Sequence, residues 1–217
     1  MINDCRRRPI VCRPGLLLAA LGLVAVGCAT TPTTRFHTLL PAPVATVSRA
    51  TPATPAQAWE LAPVTVPVQV DQPQLVVRLA DDTLAVLEYD RWIAPLGDEI
   101  RAALSQRIAL ALAASPASAA APATPGKPWR VAIEVQRFDS AVGRYARLET
   151  EWTVRSADSS GTTLRCRSVF EQPVASGVPA LAAGHRAAVA QLGDTLAAAL
   201  KAVAGGASPG CAAAVAS

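Results

Sequence analysis

Aromatic side chains make up only 4% of the 217 residues, there is one methionine, and the two histidines stand far apart, at His37 and His185. Neither histidine sits in an HxxxH or HExxH spacing, so a helix-borne zinc site has no support. No GxSxG elbow, GxxxxGK loop or GxGxxG turn occurs, which removes the common signatures of serine hydrolysis, nucleotide phosphate binding and dinucleotide binding. No CxxC pair occurs, so thioredoxin-like redox chemistry and zinc ribbons are unsupported too. No apolar run reaches the roughly 18 residues of a spanning helix, which excludes a polytopic membrane protein. Neither a glycine period nor a sustained heptad is present, so collagen-like and coiled-coil chains are excluded. The expectation is a protein that is not an enzyme and holds no metal or cofactor.

Hydrophobic residues form 51% of the chain, with alanine the commonest, and the length suits one domain with a real core. The net charge of +4 hints at nucleic acid until its placement is considered. Four of the 20 basic residues, Arg6, Arg7, Arg8 and Arg13, lie within residues 1–27 against the single acid Asp4. The remaining 190 residues hold 16 basic and 15 acidic side chains, a net of +1, and a nucleic-acid partner loses its basis.

A basic start, an apolar stretch from Leu16 to Val26 and then Gly27-Cys28 describe a secretory signal over residues 1–27. Ala25-Val26-Gly27-Cys28 resembles the lipobox of bacterial lipoproteins, which implies a diacylglyceryl thioether on Cys28 and cleavage before it. Ala29, in place of aspartate, implies sorting to the outer membrane. Cys5 and Cys12 leave with the signal and Cys28 is acylated, so Cys166 and Cys211 remain. In an oxidising periplasm that pair is expected to be a disulfide, with two free buried thiols as the other reading.

Two low-complexity stretches divide the rest. Pro41–Ala58 and Ala113–Pro128 are built from small residues and proline and cannot bury enough surface to offset their ordering entropy. Residues 28–58 are therefore expected to be the anchor and tether, with a short strand near 35–40. Residues 59–217 are expected to form a single domain with a disordered loop at 113–128. Within it, Leu61–Val70, with Pro63 and Pro67, suits an edge strand. Gln74–Leu79 and Leu84–Tyr89 flank Asp81-Asp82-Thr83 as a hairpin. A helix follows Pro95, with Leu96, Ile100, Leu104, Ile108 and Leu112 as one stripe. Val131, Ile133 and Val135 alternate on a strand over 129–138, and strands over 144–154 and 162–170 follow, split by a turn at 158–161. A second helix spans Val178 to Val203, with Leu181, Val189, Leu192, Leu196, Leu200 and Val203 on its apolar side. The order strands, helix, strands, helix predicts an α+β fold, a largely antiparallel sheet with two helices packed on one face. Arg144, Arg147, Arg165 and Arg167, interleaved with Glu149 and Glu151, read as a solvated sheet surface, and His185 as a partly exposed helix residue.

Several segments carry a family resemblance, the strands at Val131–Phe138 and Leu148–Trp152 among them. Val66 to Arg78, reading VPVQVDQPQLVVR, resembles the "vPxyLDRPQIVxR" stretch of the PqiC-type auxiliary lipoproteins of ABC-type and MCE-protein transport systems. Arg91-Trp92-Ile93-Ala94-Pro95-Leu96 is similar to that family's "RWAEPL" entry into its first helix, and Phe36-His37-Thr38-Leu39 to its "YxL" segment. Gln69-Val70 stands where an aromatic and leucine are usual, and Gln72 where arginine is. The resemblance implies a non-catalytic, periplasm-facing lipoprotein of the outer membrane that takes part in intermembrane lipid transport and supports envelope integrity. Its implied partners are an MCE-domain protein with its permease and ATPase, and further copies of itself. Arg78, Arg91 and Trp92 are the matching positions singled out for partner contact. The alternative is an outer-membrane assembly or structural lipoprotein unrelated to MCE transport.

Overall fold

A computed structural model describes residues 32–42, 58–113, 128–156, 163–207 and 210–211. The signal, Cys28, most of both low-complexity stretches and the turn at 158–161 lie outside the described residues. Among the described residues nine elements follow in order: β1 (Arg35–His37), β2 (Trp59–Leu61), β3 (Gln74–Arg78), β4 (Leu84–Trp92), α1 (Leu96–Leu112), β5 (Trp129–Ala141), β6 (Tyr145–Ser156), β7 (Thr163–Pro173) and α2 (Val178–Ala204). The α+β class and the order of elements agree with the reading of the sequence. The strands, however, form two sheets, one of three strands in the order β1-β4-β3 and one of four in the order β2-β5-β6-β7. Each is antiparallel apart from one short parallel edge, β1 on β4 and β2 on β5.

The edge strand expected over 61–70 pairs earlier and more briefly. Trp59–Leu61 lies beside Trp129–Val131, and only Thr65 returns to bridge Glu134. Pro63 and Pro67 have no N–H to donate, so the ladder cannot run on through them, and Val70 N–H closes a turn on the Pro67 carbonyl instead. The hairpin forms with Val76 opposite Val86 and Val77 opposite Ala85. At its turn Asp82 has φ 65°, and the Asp81 carboxylate accepts from the Thr83 amide and hydroxyl.

Strand β5 begins as the alternation requires, with Val131, Ile133 and Val135 buried. Its register on β6 then shifts between Val135 and Arg137. This bulge leaves Gln136 and Arg137 both outward and returns Phe138 to the core. All six apolar positions named for the second helix are buried in α2. In α1 the stripe Leu96, Ile100, Leu104 and Ile108 is almost wholly excluded from solvent. Helix α2 packs on β6 and β7, and α1 packs on α2. Two glycines permit this closeness. A Cβ on Gly184 would sit 2.4 Å from Val174 Cγ1, and one on Gly193 would sit 2.7 Å from Arg107 Cγ. By length and hydropathy α2 is fit to cross a membrane, but its apolar side is buried against the sheet.

Among the described residues one compact unit begins at Thr34. Residues 35–39 are built into it, as strand β1 and the buried Leu39.

Candidate docking groove

The segment after the predicted anchor is held by side chains from distant elements. Arg35 donates to both carboxylate oxygens of Asp90, at 3.0 and 2.8 Å, and His37 Nε2 lies 2.8 Å from Oδ1. Burial opposes ionisation of Asp90, but the hydrogen bonds from Arg35 and His37 outweigh it and hold the carboxyl below its usual range. One turn into α1, the buried Glu99 accepts from the Thr38 hydroxyl and the Leu39 amide, both at 2.7 Å. Arg186 on α2 donates to the Thr38 carbonyl at 3.0 Å. Ile93 N–H donates to the His37 carbonyl, and Trp92 N–H to the Pro73 carbonyl.

These contacts shape two adjoining cavities. The smaller, of about 390 Å³, is lined by Phe36, Asp71, Gln72, Pro73 and the run from Arg91 to Pro95. The larger, of about 1090 Å³, lies between the N-terminal segment and the helices, with Leu40, Gln106, Arg186, Ala187 and Ala190 in its walls. Phe36 and Ile93 belong to both, and each is 59% exposed. Phe36–Thr38, Asp71–Pro73 and Arg91–Pro95 come from three of the segments that carry the family resemblance, and they line this joint site together.

Of the three residues singled out, Trp92 lines the smaller cavity and so does Arg91. The Arg91 Nε is buried with no hydrogen-bond partner among the described residues. Trp92, singled out as a contact position, is 4% exposed. It packs edge-on to Phe138 and His185, so it shapes the cavity from beneath. Arg78 donates to the backbone carbonyl of the nearby Asp82, at 3.1 Å. Its Nε donates to both oxygens of Asp139, at 3.0 and 2.9 Å, which clasps the hairpin to β5. Cys166 and Cys211 are joined by a disulfide, S–S 2.00 Å.

His185 is fully buried rather than partly exposed. Its ring stacks on Phe138 at 3.9 Å, Nε2 lies 2.8 Å from the Ser140 hydroxyl, and burial pushes its pKa down to about 3. An imidazole this reluctant to take a proton is a core group. Glu149, expected to be solvated, is buried under Arg137, Arg147 and Arg167. Burial opposes its charge too, yet hydrogen bonds from Arg167 and Arg147 keep it ionised below its usual range. Among the described residues no three His, Cys, Asp or Glu side chains gather as a metal site.

Around the cavities the Thr38 hydroxyl is engaged by Glu99 and the His37 ring by Asp90, while the walls are mostly apolar. The family model for the ABC-type transport auxiliary lipoprotein component matches residues 37–197, and the chain belongs to that family. An uncharacterized protein of known crystal structure shares the fold at a TM-score of 0.62 and 15% identity, over 78% of this chain and 99% of its own. A crystal structure of a protein from Xanthomonas campestris does so at a TM-score of 0.53 and 22% identity, over 76% of this chain and 90% of that one. No curated protein matches the sequence.

Proposed function

We propose that the protein is a non-catalytic component of an ABC/MCE-type intermembrane lipid transport system. In this reading it is anchored in the outer membrane by lipid on Cys28, faces the periplasm and supports envelope integrity. The observation that carries the reading is the convergence of three separate family-like segments on one cavity. Shared sequence at dispersed positions that meet at a surface points to a shared partner. The smaller cavity, with Arg91 and Asp71 among its apolar walls, is the docking site for the MCE-domain protein. Trp92 sets its floor, and the Arg78–Asp139 clasp holds its hairpin in place.

The test is a photo-crosslinking residue at Gln72 in intact envelopes. It should capture an MCE-domain protein, and Arg91→Glu should reduce that adduct several-fold. A Gln72 adduct with an outer-membrane assembly protein instead would support the structural alternative.

A further inference from the structure

The larger groove holds exposed apolar side chains beside arginine, and the chain itself limits where that groove can go. Only seven residue steps separate Cys28 from Arg35, at most about 25 Å even when fully extended. Had the leash run to Trp59, as composition alone implied, it would reach about 100 Å. The pinning of residues 35–39 by Asp90, Glu99 and Arg186 takes that length away.

We infer that the groove face formed by Phe36, Leu40 and Ile93 rests on the phospholipid surface that holds the acyl chains of Cys28. The inference rests on the anchor reading above. Its chemistry suits an interface. Phe36 and Ile93 are each 59% exposed and Leu40 is 37% exposed, enough for shallow entry between headgroups. Arg186 lines the same groove, and Arg91 lies in the adjoining cavity that shares Phe36 and Ile93. Guanidinium groups on aliphatic stems suit the level of the lipid phosphates. The outer face of the four-stranded sheet, by contrast, carries a lattice of paired charges that would lose water against lipid. A partner at the smaller cavity would then stand beside the membrane, where a lipid conduit has to end.

The test uses the acylated full chain in phosphatidylethanolamine/phosphatidylglycerol vesicles, with a photo-crosslinking residue at Leu40, at Ala187 or, as control, at Ala132 on the charged sheet face. Lipid adducts are expected at 40 and 187, at least five-fold above those at 132. Phe36→Ser with Ile93→Ser should lower the adduct at 40 several-fold. Equal yields at all three sites on acylated, vesicle-bound protein would overturn the proposal and leave the anchor standing, as would protein–protein adducts at 40 in place of lipid. Mass spectrometry of the same sample reads Cys28 separately, and an unacylated chain would overturn the anchor and the proposal together.

Discussion

The outer face of the four-stranded sheet and the groove beside β1 are both exposed, yet opposite chemistry builds them. On the sheet, Arg165 pairs with Glu151, Arg130 with Glu60, Arg147 with Glu171, and three arginines surround Glu149. Positive and negative groups face each other across the strands, so the surface satisfies itself and needs only water. At the groove the charged groups are drawn inward to hold the backbone. Asp90 and Glu99 take the N-terminal segment, and Phe36, Leu40 and Ile93 are left facing outward. A self-paired lattice has little to offer a partner, whereas unpartnered apolar side chains do.

The largest expected effect lies on the sheet side. Replacing Cys166 and Cys211 with alanine opens a crosslink of sequence separation 45 and should cost about 3–4 kcal/mol. Urea unfolding reads the loss, while lipid adducts at Leu40 should stay unchanged. A parallel loss of those adducts would mean that the two regions are coupled.

Glu149→Gln comes next. It leaves three arginines facing a neutral buried group, and because those arginines are partly exposed the cost should be about 2 kcal/mol rather than the full cost of a broken buried pair. A thermal midpoint unchanged within a degree would show that the lattice tolerates losing its centre.

His185 sharpens the comparison through pH. Its folded pKa of about 3 lies below the ordinary value of 6.5, so the unfolded chain takes up a proton that the folded chain refuses. The associated stability is complete above pH 6.5 and falls as pH drops toward 3, by up to about tenfold in the unfolding equilibrium per pH unit. His185→Gln should flatten the profile between pH 6 and 4.5. Asp90 and Glu149, both lowered in the fold, contribute stability above about pH 4 that is lost only in stronger acid. They therefore leave the upper window to the histidine.

Phe36→Ser with Ile93→Ser should move stability least, by less than about 0.5 kcal/mol, because both side chains are already in water. Their effect belongs in lipid contact. A large drop in folding stability would show that these residues pack in the body instead of serving its surface.

The elements were largely legible because a helix stripe or a strand alternation repeats within a few residues. Leu96 to Ile108 and Leu181 to Val203 declared their buried sides through spacing alone. The β5 bulge was hidden, since nothing in Val135-Gln136-Arg137 marks an extra residue. At the site, the segments containing Phe36, Asp71 and Arg91 stood out by resemblance, but their meeting did not. Arg78 has aspartates at 81 and 82 close by in sequence, yet its guanidinium closes on the carboxylate of Asp139, 61 residues away. Likewise Glu99 sits in the first turn of α1, where a carboxylate suits the helix dipole, and there it also holds Thr38 and Leu39.

By itself the sequence determined the order and type of elements, the near-neutral charge beyond residue 27, and the two helices' buried stripes. Each depends on which side chains project the same way along a local backbone. Only the tertiary structure decided that the strands split into two sheets, that Arg35 and His37 close on Asp90, and that residues 35–39 join the body. Those outcomes turn on contacts between residues 50 or more positions apart, where packing and desolvation select one partner among several of like charge.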